Sequence, residues 1–279
     1  MNRFRIATLL AGLALLLTAA PVHADENDRG GYLATGDSVA FGFDPLAERS
    51  DADNFIGYPE ALAEMLDIDV VNSSCPGEAS GGFISLTGVD NSCRPYRAAF
   101  PLHVNYSTSQ LDFDVAYLRS HPNTRLVTIN IGANDLFVLI RSCPPPPDQA
   151  ACVLQKLPAM LKTLAQNLVA IYTAMRRAGF QGRLVALTYY STDYRDATGV
   201  AIIQAVNGVV AQTTTAVGGR VADGFGAFKA IAANSGGDTC AAGLLIRLTP
   251  SSCDIHPSPL GRDTLALAIR SVVSFPHED

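Results

Sequence analysis

The alternation of short strand-like segments with helix-length segments is the feature that most constrains how this chain can fold. Residues 125–131 are nearly all β-forming and end at Gly132, and residues 183–190 form a second segment of this kind. Shorter strands are predicted at 32–34, 69–72 and 220–222. Helices are predicted at 59–66, along the leucine-rich stretch 157–175, at 200–216, and from Pro259 onwards.

Strands that are separated by helices pair in parallel, with helices covering both faces of the sheet. No Gly/Ser linker or internal repeat divides residues 25–279, so we expect a single domain there. The sequence therefore predicts an α/β fold, a three-layer α/β/α sandwich around a central parallel sheet. In such folds ligands bind outside the carboxyl ends of the strands.

The first 24 residues are typical of a secretory signal peptide. Arg3 and Arg5 form a positive head, residues 6–20 are apolar or nearly so, and small residues precede a cleavage site after Ala24. The apolar run is shorter than the about 20 residues that span a bilayer, so we expect cleavage rather than a stable membrane anchor. We therefore expect a secreted protein, extracellular or, in a two-membrane bacterium, periplasmic.

The charge balance argues against a nucleic-acid partner. The formal net charge is −6, and it becomes −8 without Arg3 and Arg5. No run of basic residues could follow a phosphate backbone. With 48% hydrophobic and 16% charged residues, the composition is that of a globular protein rather than a disordered one.

Export changes the interpretation of the cysteines, because disulfides persist in oxidising compartments. All six lie after residue 24 and form three close couples along the chain. Six cysteines allow 15 pairings, and this grouping predicts three local bonds. The expected disulfides are Cys75–Cys93, Cys143–Cys152 and Cys240–Cys253. Metal binding is the alternative, but neither Cys-x-x-Cys nor His-rich spacing is present, so we expect no metal.

Polar residues follow the predicted strands at the end where a ligand should bind. Ser38 follows the first strand, residues 75–77 the second and residues 132–135 the third, while residues 254–257 are predicted as a loop before the last helix. A serine hydroxyl becomes a useful nucleophile only when a base, usually His, removes its proton. Ser38 could therefore act as a nucleophile only if a histidine lies at the same end of the sheet.

Position selects one of the four histidines that follow residue 24. His277 lies near the end of the chain, His121 precedes the third strand at its wrong end, and His103 lies in a long loop. His256 precedes the last helix at the carboxyl end of the sheet. Position therefore favours His256 as the base.

Acyl transfer also needs hydrogen-bond donors for the negatively charged oxygen of the transition state, and three groups could supply them. They are the side-chain amide of Asn134, the backbone N–H of Gly77 and the backbone N–H of Ser38. Asn134 follows a buried strand, which would fix its position.

Four ordered motifs resemble those of the SGNH hydrolases, also called GDSL-type lipases/esterases. They are Gly-Asp-Ser at 36–38, Cys-Pro-Gly-Glu at 75–78, Gly-Ala-Asn-Asp at 132–135 and Asp-Ile-His-Pro at 254–257. The second motif and the cysteine couples most resemble the secreted bacterial branch of this family.

The resemblance implies a flavodoxin-like sheet and an esterase or lipase that needs no cofactor. It implies that Ser38 is the nucleophile and His256 the general base. The oxyanion hole would consist of the Ser38 and Gly77 N–H groups and the Asn134 side chain.

The last motif departs from the family pattern, which is Asp-x-x-His. Cys253 occupies the usual acid position, and the nearby acid, Asp254, lies two residues before His256. A group is needed to hold the imidazole in the right tautomer. Either Asp254 or a backbone carbonyl in a Ser–His dyad could orient it.

The expected substrate is a small-molecule or lipid ester, and the expected protein is a monomer. Residues 39–43 and 136–140 are apolar and could form an acyl pocket or simply buried helix starts. One alternative function is deacetylation of an extracellular polysaccharide, for which Tyr189, Tyr190 and Tyr194 could stack on sugars. A second alternative is a secreted binding protein without catalysis.

Overall fold

The structure, a computed structural model, describes residues 31–273. The predicted signal peptide and His277 therefore lie outside the described residues. The strands are β1 (Tyr32–Gly36), β2 (Val70–Asn72), β3 (Leu126–Asn130), β4 (Arg183–Leu187), β5 (Arg220–Ala222), β6 (Leu245–Thr249) and β7 (Ser252–Pro257). The helices are α1 (Ser38–Phe41), α2 (Tyr58–Leu66), α3 (Ser80–Ile84), α4 (Cys93–Ala99), α5 (Gln110–Ser120), α6 (Ala133–Arg141), α7 (Gln149–Arg177), α8 (Ala197–Ala216), α9 (Gly224–Ala232) and α10 (Pro259–Arg270).

A five-stranded parallel sheet forms the centre of the protein, in the order β2-β1-β3-β4-β5. Every residue of β1 and β3 is buried, as expected for strands covered by helices on both faces. The register pairs Gly36 with Asn130, so the chain segments that follow β1 and β3 emerge side by side. The sheet and its flanking helices confirm the predicted α/β fold.

Two groups of helices cover the two faces of this sheet. One group contains α2, α9 and α10, with α10 packed on both of the others. The second group contains α3, α5, α6, α7 and α8, which pack mainly on α7. The leucine-rich stretch forms part of α7, where Leu164, Leu168 and Ile171 are fully buried against the sheet.

Two parts of the structure differ from the sequence-based prediction. Residues 254–257, expected in a loop, belong to β7, which pairs antiparallel with β6 in a separate two-stranded sheet. The region 73–124, in which the sequence predicts no element, contains α3, α4 and α5. Both regions lack long apolar segments: β6 and β7 are half-buried or exposed over most of their length, and the buried face of α5 includes the polar Gln110 and Asp114.

The six cysteines form the three expected local pairs. The bonds are Cys75–Cys93, Cys143–Cys152 and Cys240–Cys253. Among the described helices, none combines the length and the hydropathy that a bilayer crossing needs.

Candidate active site

The chain reverses sharply between β1 and α1 and thereby exposes Ser38 at the carboxyl end of the sheet. Gly36 makes this possible because its φ is +134° and a Cβ there would lie 2.2 Å from the carbonyl oxygen of Asn130. The buried carboxylate of Asp37 caps α1 by accepting a hydrogen bond from the backbone N–H of Val39, at 3.0 Å. Ser38 is the first residue of α1 and is half-buried.

Ser38 and His256 meet across 218 residues of sequence. The distance between Ser38 Oγ and His256 Nε2 is 2.9 Å, and the carboxylate of Asp254 contacts His256 Nδ1. Because a carboxylate can only accept, Nδ1 carries a hydrogen and Nε2 of the neutral ring is free to accept from the serine hydroxyl. This is the geometry of a serine, a base and an acid that orients the base.

Burial and His256 shift the pKa of Asp254 in opposite directions. Burial raises the pKa of Asp254, but the hydrogen bonds and charge of His256 outweigh burial, and the net pKa is lower than usual. The Asp254 carboxylate also accepts a hydrogen bond from the backbone N–H of His256, at 3.0 Å. Asp254 therefore stays ionised near neutral pH.

Two aromatic residues hold the segment that carries His256. Tyr190 Oη donates to the carbonyl oxygen of Ile255 at 2.7 Å. The ring of Phe43 packs edge-on against the imidazole, with centroids 5.0 Å apart. Together these contacts limit the movement of the imidazole relative to Ser38.

The three groups expected as oxyanion donors belong to three different segments of the chain: Ser38 begins α1, Gly77 lies in the loop between β2 and α3, and Asn134 lies in α6. In the described part of the chain, the backbone N–H groups of Ser38 and Gly77 donate to no backbone carbonyl. Gly77 has a φ of +83°, and a Cβ there would lie 3.0 Å from the carbonyl oxygen of Asn91. Asn134 lies in the first turn of α6, at the edge of the cavity that Ser38 and His256 line.

Asn91, which the sequence does not single out, joins two of these segments. Its side-chain N–H donates to Asn134 Oδ1 at 2.5 Å, and its backbone N–H donates to the carbonyl of Gly77 at 3.1 Å. The segment from Gly77 to Asn91 is closed by the Cys75–Cys93 bond. A loop asparagine carries no sequence signal of such a role, because both contacts depend on the tertiary structure.

Asp37 also supports the site, although sequence reasoning assigned it no role. Its carboxylate accepts from Tyr189 Oη and, at 3.3 Å, from the amide of Asn134. Burial raises the pKa of Asp37 to about 6, against the hydrogen bonds from Tyr189 and the backbone of Val39. The amide of Asn134 is thus held by Asp37 through its nitrogen and by Asn91 through its oxygen.

A cavity of about 190 Å³ opens beside Ser38 and His256. Its apolar lining includes Val39, Leu136, Phe137 and Ile203. Both interpretations of the apolar stretches therefore hold in part: Val39 and Leu136 line the cavity, whereas Phe41 is buried in a separate aromatic cluster.

The other residues considered from the sequence have structural contacts. His103 Nε2 lies 3.0 Å from the carbonyl oxygen of Phe41, and His121 stacks on Tyr117 at the end of α5. Tyr189 and Tyr190 are only 4% and 7% exposed, so they do not offer open faces to a sugar. Tyr194 Oη donates to the carbonyl oxygen of Phe225 at 2.7 Å.

One cluster within residues 31–273 has the residue types of a metal site. It consists of Cys75, Glu78 and Cys93. The two sulfur atoms are joined in a disulfide and cannot act as thiolate ligands.

The fold and this site define a hydrolase of the SGNH type. Residues 34–263 match the GDSL-like Lipase/Acylhydrolase family, and the chain belongs to that family. No curated protein sequence is significantly similar to the chain.

Several solved structures share the fold. A phospholipase A1 from Streptomyces albidoflavus is 19% identical, with a TM-score of 0.58 over 88% of this chain and 99% of that one. An extracellular lipase from Streptomyces rimosus is 18% identical, with a TM-score of 0.58 over 88% and 100%. An acetylxylan esterase from Geobacillus stearothermophilus is 18% identical, with a TM-score of 0.54 over 88% and 94%.

Proposed function

We propose that this protein is a serine hydrolase of carboxylic esters that acts through an acyl-enzyme on Ser38. The observation that carries the proposal is the 2.9 Å contact between Ser38 Oγ and His256 Nε2, with Asp254 on the opposite ring nitrogen. Membership of a family of lipases and acylhydrolases supports the same reaction class.

In the first half of the reaction, Ser38 Oγ attacks the ester carbonyl carbon while His256 Nε2 takes the hydroxyl proton. The imidazolium is stabilised by the ionised Asp254. Nε2 then returns the proton to the alcohol oxygen as the ester bond breaks, which leaves the acyl group on Ser38. In the second half, water takes the place of the alcohol and attacks the acyl carbon while His256 Nε2 takes its proton. Nε2 then returns this proton to Ser38 Oγ as the bond between Oγ and the acyl carbon breaks, which releases the acid and restores the serine.

The negative charge that develops on the carbonyl oxygen needs fixed donors. We assign this role to the N–H groups of Ser38 and Gly77 and to the Asn134 amide, one hydrogen of which remains available beside Asp37. Because Asn91 and Asp37 hold that amide from both sides, the donor needs no reorganisation during the reaction.

The size of the cavity favours short acyl groups. A cavity of about 150 Å³ can enclose benzene, and this one measures about 190 Å³. Ile203 of α8 and Phe137 of α6 contribute to its apolar lining. We therefore expect acetyl to butyryl esters to react faster than esters of long fatty acids.

Deacetylation of a polysaccharide remains the second candidate, since the cavity also accommodates an acetyl group. The buried Tyr189 and Tyr190 argue against stacking on an extended sugar chain at those residues. A secreted location is part of the proposal: it is supported by the three disulfides and by the signal-like residues 1–24.

The test is a panel of p-nitrophenyl esters from acetate to palmitate, with acetylated xylan assayed beside it. We expect hydrolysis that is fastest for acetate to butyrate, loss of activity in Ser38→Ala, and a single phosphonate label on Ser38. His103→Ala serves as the control and retains activity. Turnover of none of these substrates, or a label on another residue, contradicts the proposal.

A further inference from the structure

A cation and His256, the proposed base, pack on the same aromatic ring. The face of Phe43 carries the guanidinium of Arg49, whose Cζ is 5.3 Å from the ring centroid, while the same ring packs on His256 at 5.0 Å. Arg49 Cζ is also 5.7 Å from the centroid of Phe100. Two aromatic rings thus hold this guanidinium on the His256 side of the site.

The hydrogen-bonding capacity of Arg49 is unused. Within residues 31–273, its side chain makes no hydrogen bond or ion pair, although a guanidinium has five N–H donors. The neighbouring carboxylate of Glu48 accepts from the backbone and hydroxyl of Ser50 instead. By contrast, the guanidinium of Arg195 is paired with both Asp193 and Asp238.

A second donor, the hydroxyl of Tyr96, belongs to a ring that packs on the same Phe43. The ring of Tyr96 packs edge-on against Phe43, with centroids 6.0 Å apart, and its hydroxyl oxygen is buried with no partner in the described part of the chain. Arg49 is close enough to act electrostatically on the Tyr96 phenol, whose pKa burial raises. The Arg49 guanidinium and the Tyr96 hydroxyl are therefore both hydrogen-bond donors that have no acceptor among the described residues.

The chemistry of ester cleavage identifies which half of a substrate would meet these two donors. His256 Nε2 must deliver its proton to the leaving alcohol oxygen, so the alcohol half lies on the imidazole side of Ser38. We propose that Arg49, supported by Phe43, forms a subsite for a phosphate carried on the alcohol half of the substrate. This inference rests on the proposed esterase function and specifies its substrate class.

A guanidinium suits phosphate because it can donate two parallel hydrogen bonds and remains charged at all working pH values. The formal net charge of −6 would otherwise disfavour an anionic substrate. Arg49 compensates for this locally. A neutral alcohol would leave its charge unused.

Matched esters test the subsite. We compare 1-butyrylglycerol with 1-butyrylglycerol 3-phosphate, which share the ester bond and the acyl group, and measure kcat/KM at low ionic strength. For the wild type we expect the ratio of phosphate to neutral ester to be about tenfold or more, and to fall with added salt. Arg49→Gln should bring the ratio near one, and Arg49→Lys should retain part of it.

The control is Arg97→Gln, because Arg97 also lies over an aromatic ring, Tyr106 at 5.0 Å, and is not in contact with His256. It should keep the wild-type ratio. A wild-type ratio near one, or a high ratio that persists in Arg49→Gln, overturns the subsite while leaving the esterase proposal intact.

A binding measurement separates the two proposals. Calorimetry of glycerol 3-phosphate with the Ser38→Ala variant does not depend on turnover. We expect binding stronger than that of glycerol, and loss of this difference when Arg49→Gln is added. Equal binding of both compounds overturns the subsite, whereas absence of ester hydrolysis in the wild type counts against the proposed function.

Discussion

The spacing between Asp254 and His256 becomes intelligible once this segment is seen to be a strand. Successive side chains of a strand point to opposite faces, so residues two apart share a face. Asp254 and His256 can therefore meet, while Ile255 between them is 44% exposed. In a strand, an acid two residues before the base can contact the imidazole. This contact favours Asp254 over a backbone carbonyl as the group that orients His256.

Replacement of Asp254 with Asn tests this at the level of a single side chain. The variant keeps the shape but removes the charge that stabilises the imidazolium, and we expect kcat for p-nitrophenyl butyrate to fall by up to about 10⁴. The Asp263→Asn variant, in which a partly exposed ion pair with Arg262 is lost, should behave like the wild type. A loss of threefold or less in Asp254→Asn, with the fold intact by circular dichroism, contradicts a catalytic role.

Asn91 offers a second test, because we expect its effect on kcat to depend on its hydrogen bond to Asn134. Loss of one oxyanion donor typically costs about 10²–10³ in kcat, and we expect this for Asn134→Ala with little change in KM. Asn91→Ala should lower kcat about tenfold, since Asn134 loses the partner of its amide oxygen.

The double variant distinguishes positioning from a general structural effect. If Asn91 acts through Asn134, adding Asn91→Ala to Asn134→Ala should lower kcat little further. Independent, multiplicative losses in the double variant contradict the positioning role.

At the scale of elements, Asp254 and His256, the proposed acid and base, lie on a hairpin outside the main sheet. β6 and β7 pair only with each other, and β7 contacts α1 and α10. Cys253, directly before Asp254, is bonded to Cys240 in the segment that precedes β6. A small and only partly buried element thus depends on a covalent bond and a few contacts for its position.

Removal of the Cys240–Cys253 bond should therefore reduce both activity and stability. We expect the double Cys→Ser variant to lose about 2–4 kcal/mol of unfolding free energy and to show a lower kcat, because the hairpin carries His256. The matched control is the double Cys→Ser variant at Cys143 and Cys152, because Cys143 follows the carboxyl end of α6, opposite the first turn that carries Asn134. It should lose stability by urea denaturation but keep kcat, and an equal loss of kcat in both contradicts this role of the hairpin.

The sequence predicted the elements whose buried apolar residues recur at regular spacing along the chain. β3 and β4 are buried strands of mainly apolar residues, and α7 has leucines at helical spacing, so the order of strands and helices along the chain could be predicted. The hairpin and α5 were missed because a partly buried two-stranded sheet and a helix with buried Gln110 and Asp114 have no such pattern. Likewise Ser38 and His256 follow from motifs, whereas Asn91, Phe43 and Arg49 derive their roles from tertiary contacts alone.

At the scale of the whole molecule, buried carboxyl groups make stability depend on pH. Asp114, which accepts from Thr35 and Ser73 beneath the active site, has its pKa raised to about 7 by burial, against those two hydrogen bonds. Burial and the charge of Asp90 raise the pKa of Glu78 to about 8. In the unfolded chain both groups titrate near pH 4.

Between about pH 4 and pH 8 the folded protein therefore binds more protons than the unfolded chain does, and the free energy of unfolding falls as pH rises. Asp114→Asn removes one of these groups, so we expect a shallower fall in the free energy of urea unfolding from pH 5 to pH 8. Asp148→Asn, changed at the exposed surface, is the control with the wild-type slope. Identical slopes in all three proteins contradict the contribution of Asp114.

The separation of 218 positions between Ser38 and His256 has a consequence for the biosynthesis of the protein. A chain is made from its amino end, so the serine and the segments with the oxyanion donors exist well before the hairpin that carries the base. In the proposed mechanism, the serine has no base until β7 has docked and Cys253 has bonded to Cys240, so we expect the chain to be inert toward esters before that point. Ester hydrolysis therefore reports that the last part of the chain has folded and oxidised, and the cell that makes the protein is not exposed to its activity beforehand.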